Sequence, residues 1–184
     1  MGLTYHAVNP CRIVDTREAG GPIAAGGTRE FYVYGTSLGG QGGGNCPSPV
    51  GEPLAVHGNI TVIPLFATGG ANVRVYPANV LTPDTSLVNV RAGVNLANAG
   101  TVKTFYNVTA SQREIEVFAT KSVHIVIDVL GYYNTSNDWG RSGATVNLFE
   151  GTRTLTSKYV NEGQANSITS PMIVDGAITA ADLG

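Results

Sequence analysis

Ser122–Tyr133 reads SVHIVIDVLGYY, and its first half sets the fold. Val123, Ile125, Ile127 and Val129 fall on one side of an extended chain, while His124, Val126 and Asp128 fall on the other. An apolar set at period two is a strand with one face in a core, so Asp128 is expected at a sheet surface or opposite a specific partner. No window of the chain sustains the i, i+3, i+4, i+7 pattern of an amphipathic helix.

Working outward, similar strand-like runs recur between turn signals: REFYVYG (29–35), LAVHGNITVIPLF (54–66), ANVRVYPANV (71–80), SLVNVRAG (86–93), VKTFYNVTA (102–110) and EIEVFAT (114–120). The intervening ATGG (67–70) reads as a hairpin turn, because glycine pairs suit such turns. Short strands at this spacing predict an all-β, antiparallel β-sandwich, jelly-roll-like. The sandwich is expected over residues 1–133. A C-terminal extension, 134–184, contains the expected strand pair GRSGATVNLFEGTRTLTSKYV (140–160) and a polar tail too poor in apolar residues to form a core alone.

The composition agrees. Charged residues make up 13% of the 184, against a usual share of about 25%, and there are 24 glycines. With a net charge of −2 the chain has no basic field to draw in a nucleic-acid backbone, so no nucleic-acid partner is expected. No apolar run approaches the roughly 18 residues of a membrane span, so no membrane insertion is expected either. The opening MGLTYHAVNP lacks the regions of a signal peptide, so export is expected after loss of a leader or by a route such as lysis.

Cys11 and Cys46 allow one disulfide or two thiols. The bridge is the expectation, closing a loop of about 35 residues worth about 3 kcal/mol and implying an oxidising compartment. His6, His57 and His124 are scattered and no CxxC pair occurs, so no metal or cofactor is expected. The glycine-rich stretch 36–53 reads as a mobile surface loop tethered by Cys46.

Motifs that could carry chemistry are weak. GTSLG (35–39) matches G-x-S-x-G, but the glycine tract that follows cannot be the helix a nucleophile elbow needs, so Ser37 is not expected to be catalytic. Glu114 and Glu116 alternate with Ile115 and Val117 and read as a solvated face, although a carboxylate pair such as these, or Asp15 with Asp128, is what a glycosidase would require. Asp84 reads as a turn residue, and Asp138 as a similar one with calcium as the alternative. Tyr132, Tyr133 and Trp139 cluster in sequence and are the candidate glycan contacts. Asn59, Asn107 and Asn134 head N-x-S/T triplets and read as polar strand residues rather than glycan acceptors.

In PCRIVDTR (10–17), extended geometry puts Cys11, Ile13 and Asp15 on one face and Arg12, Val14 and Thr16 on the other. Asp15 is expected to pair with Arg17 or another arginine. Asp128 is expected to meet Arg12 or Arg17 where the last core strand lies beside the first.

Taken in order, PCRIVDTR, a second cysteine before a proline-containing loop, VHGNITVI (56–63), VRVYP (73–77), SLVNVRAG and HIVIDVLGYY (124–133) resemble a β-sandwich module that recurs, often in tandem, in large secreted and cell-surface proteins of bacteria. The resemblance covers residues 5–133, about seven tenths of the chain, and implies a surface or accessory domain rather than an enzyme. In the tail, NSIT (166–169) returns as GAIT (176–179) ten residues later. DGAIT…DL is similar to ten-residue repeats of bacterial surface stalks and phage-type fibres, which implies oligomers. Short repeats that cannot bury their own apolar residues stack on other copies, so Ile168, Met172, Ile173, Ile178 and Leu183 are expected between chains. The function expected is that of a non-enzymatic structural subunit, self-assembling as a homo-oligomer (trimer or open filament) into an extracellular fibre, filament or virion-like appendage, with an adhesive face. The alternative is a carbohydrate-binding module with a cell-surface glycan as partner, and the third reading is a hydrolase using Ser37 or Asp128.

Overall fold

The computed structural model describes residues 3–36, 38–48, 50–135, 149–150 and 153–154. The chain divides into two units, Met1–Ser136 and Asn137–Gly184.

The described residues of the first unit form nine strands: β1 (Leu3–Asp15), β2 (Gly27–Tyr32), β3 (Ala55–Pro64), β4 (Gly70–Pro77), β5 (Val88–Arg91), β6 (Leu96–Lys103), β7 (Phe105–Asn107), β8 (Gln112–Ala119) and β9 (Val123–Thr135). They form two antiparallel sheets, ordered β1-β9-β3-β6 and β2-β8-β4-β5, with β7 also pairing β8. Within this unit the chain passes repeatedly from one sheet to the other, and among the described residues sequential strands pair at β4–β5 and β7–β8. That order is the jelly roll. In the second unit the described elements are β10 (Phe149–Glu150) and β11 (Arg153–Thr154), an antiparallel pair inside the stretch expected to form one.

The core lies between the two sheets and follows the alternation. Val123, Ile125, Ile127 and Val129 of β9 face Val73, Val88, Val90, Ile115 and Val117 of the other sheet, all fully buried or nearly so. Each such side chain contributes about 1.5–3 kcal/mol when removed from water.

Three expectations need correction. ATGG is not a hairpin turn: it carries the chain from β3 in one sheet to β4 in the other. The boundary expected at residue 133 falls inside β9, which runs on to pair Thr135 with Leu3. The stretch 36–53 is not a free loop, since Leu38 and Cys46 are buried in the core and a Cβ at Gly42 or Gly43 would collide with the carbonyl oxygens of Asp15 or Ile13. Glycine serves here because a backbone can press directly on another backbone.

Candidate functional site

The most elaborate constellation among the described residues is the end of β1. A register shift between Arg12 and Val14 breaks the simple alternation, so Ile13, Val14, Asp15 and Thr16 are all buried in succession. Arg12 lies directly across the ladder from Asp128 and grips it through both arms, Nε to Oδ1 at 2.8 Å and Nη2 to Oδ2 at 3.1 Å. Its third nitrogen, Nη1, reaches Asp15 Oδ2 at 3.1 Å. Arg17 takes the same carboxylate in a second fork, at 2.8 Å and 2.7 Å, and adds its backbone N–H.

Asp15 is 2% exposed while Arg12 and Arg17 are 44% and 46% exposed. The charge that is hard to solvate is thus capped by two guanidinium groups that reach water. The Arg17 hydrogen bonds, working against burial, hold the Asp15 carboxyl down to about 2, and the bond to Asp128 raises the Arg12 guanidinium. Next along the chain, the Thr16 hydroxyl accepts the Ile125 N–H at 2.9 Å and shares a 3.0 Å bond with His124 Nδ1. The two motifs CRIVDTR and HIVID therefore meet side chain to side chain.

The loop 36–53 closes over the same strand. Cys11 and Cys46 form a disulfide, the Gly44 N–H donates to Arg12 O, and Gln41 Nε2 donates to both Ile13 O and Tyr32 O at 2.8 Å. Gln41 Oε1 also accepts the Tyr32 N–H, so one side chain ties β1 to β2 across the edges of the two sheets. The disulfide fits a non-cytoplasmic location.

The aromatic candidates separate. Tyr132 is 1% exposed and donates its hydroxyl to Val33 O at 3.0 Å, and burial raises its pKa. Tyr132 is a core residue and cannot offer a face to a glycan. The cause is an extra residue in β9: Gly131 pairs with His57 but Val129 with Gly58, so Leu130 bulges and the inward phase passes from Val129 to Tyr132. Tyr133 is turned to the outer face, where its ring lies 5.0 Å from that of Tyr5, itself 6.1 Å from His57. Tyr5 lies over Gly131, where a Cβ would strike its ring, and donates to Leu130 O at 3.0 Å. Neither Tyr5 nor His57 carried a sequence signal, because only the register brings them to Tyr133.

On the outer face of the second sheet, Glu30 stands opposite Glu116, with Glu114 opposite Tyr32. The solvated reading of Glu114 is corrected: it is 4% exposed, and both carboxylate oxygens accept bonds from Asn107 Nδ2 at 3.1 Å. Burial, followed by the charges of Glu114 and Glu116, pushes the Glu30 carboxyl up. A cleft of about 390 Å³ passes Arg29, Glu30, Tyr32, Gln41 and Glu114. Arg29 is committed to Gly21 O and Pro22 O, as Gln41 is to its backbone partners. Asp84 sits exposed, 3.9 Å from Arg74.

Among the described residues no group of three or more His, Cys, Asp or Glu side chains is arranged to hold a metal ion, and no helix is long and apolar enough to cross a membrane. Ser37, Asp138, Trp139, Ile168, Met172, Ile173, Ile178 and Leu183 lie outside the described residues. No family model, no curated protein and no solved structure matches the chain.

Proposed function

We propose that the protein is a non-enzymatic structural subunit that self-assembles, through its C-terminal extension, into an extracellular fibre, filament or virion-like appendage. The observation that supports a structural role is how the Asp15 and Asp128 carboxylates are used: all four oxygens accept bonds from Arg12 or Arg17 of the same chain. Charges committed in this way fasten the first strand to the last instead of meeting a substrate. Assembly is assigned to Ile168, Met172, Ile173, Ile178 and Leu183, whose repeat needs other copies to bury it. Light scattering and electron microscopy of the full chain and of an Ile173→Asp/Ile178→Asp variant test this. Trimers or filaments are expected from the parent and nothing larger than a dimer from the variant; equal assembly of both overturns the role of the tail.

A second reading, a carbohydrate-binding module, is favoured by the ring cluster Tyr5–His57–Tyr133 on an outer sheet face, since sugar rings stack on aromatic faces. A glycan array should then lose its signal with Tyr133→Ala or Trp139→Ala while assembly persists. An array blank for the parent overturns that reading.

A further inference from the structure

We propose that the outer edge of β6 is an interface at which a second copy of this chain docks, its own β6 pairing antiparallel across a twofold axis at Gly100. Exposed strand edges are templates for further pairing, and folded proteins usually blunt them. Here the other edges are blunted. The far half of β1 is covered by the loop carrying Gln41, Gly44 and Cys46, and its near half is interrupted by a register shift and Pro10. On β2, Gln41 occupies both backbone groups of Tyr32 and the edge carries Arg29 and Glu30. β5 is four residues long.

β6 differs on every count. It is eight residues, LANAGTVK, free of proline and bulges, with one charge at its end. Its inner neighbour is fixed: the Thr104 N–H donates to Leu54 O, and antiparallel bonding repeats every second residue. Even-numbered residues of β6 therefore bond to β3, while the N–H and C=O groups of Ala97, Ala99, Thr101 and Lys103 point away. Among the described residues nothing bonds to them.

A second β6 matches this edge in one register that uses all of those groups, centred on Gly100. Ala97 then faces the second copy's Lys103, Ala99 faces its Thr101, and Gly100 faces its own counterpart. Small residues meet at the centre, and the two lysines are at opposite ends, each facing an alanine, so no like charges oppose each other. Such an isologous contact closes on itself, giving a dimer with one continuous sheet rather than a fibre.

The register makes a sign-specific test. In the full chain, Ala97→Lys sets like charges directly opposite, twice by symmetry, and Ala97→Glu sets opposite ones. Sedimentation should show dimerisation weakened about tenfold by the first and strengthened by the second. Shifts of the same sign, no shift, or a parent with no dimer at any concentration would overturn the proposal. Equimolar Ala99→Cys and Thr101→Cys chains should oxidise to a mixed covalent dimer that neither gives alone; an equal yield from either alone overturns it. The contact is independent of the tail, so in the Ile173→Asp/Ile178→Asp background the charge effects must persist. Their loss there refutes the β6 contact, whereas tail-independent large assemblies refute only the reading of the tail.

Discussion

Along the far half of β1 the outward carbonyls of Arg12 and Ile13 meet Gly44 and Gln41 of the same chain, whereas the outward groups of β6 meet none of the described residues. These are the two edges of one sheet. At β1 the molecule concentrates its disulfide and its arginine forks; at β6 it places alanines, a glycine and an asparagine. The contrast separates two needs. A terminal strand must be kept from peeling, which takes specific bonds, while an edge meant for association needs flatness and little charge.

If β1 is held by the loop, opening the loop should have the largest effect. Cys11→Ser/Cys46→Ser is expected to lower unfolding free energy by about 3–4 kcal/mol, read from urea midpoints against the oxidised parent. Next comes Gly43→Ala, expected to cost about 2–3 kcal/mol because its Cβ needs the space taken by Ile13 O. A neutral result would show that the loop does not bear on the strand.

Asp15→Asn should cost about 2 kcal/mol at neutral pH. Its folded pKa, about 2, lies below the ordinary 3.8. The stabilisation is therefore complete above pH 4 and lost as pH falls through about 2. The parent should show this acid loss in a midpoint-against-pH series and the variant should not; parallel curves would dismiss the ion pairs as a source of stability. The smallest effect belongs to the other edge: Ala97→Lys should leave folding stability within about 0.5 kcal/mol, because the position is exposed and its N–H is outside the ladder.

The sequence was legible where one periodicity ran undisturbed. Val123–Val129 announced both a strand and the face it buries, and the charges of CRIVDTR pointed to partners of opposite sign. It was opaque wherever a single extra residue reset the phase. The bulge at Leu130 turned Tyr132 inward and Tyr133 outward, and the shift after Arg12 buried Ile13, Val14, Asp15 and Thr16 in succession, which no count along an ideal strand would give. Glycines misled for a related reason: in 36–53 composition suggests freedom, but what glycine provides at Gly42 and Gly43 is closeness to β1. ATGG marked a turn without saying which sheet the chain would enter next.

Because Leu3 pairs with Thr135, the chain enters and leaves this unit at neighbouring points. Tension applied between the two ends would open the β1–β9 ladder like a zipper, one rung at a time, rather than shear it all at once. Peeling would run only as far as Cys11, where the covalent link to Cys46 stops it just short of the arginine forks. In a force ramp on the tethered chain, a short yield at low force followed by a hard stop is expected under oxidising conditions, with the stop removed by a reductant; an unchanged trace would show that the link does not bear the load. The unit would then act as a shock absorber of fixed travel.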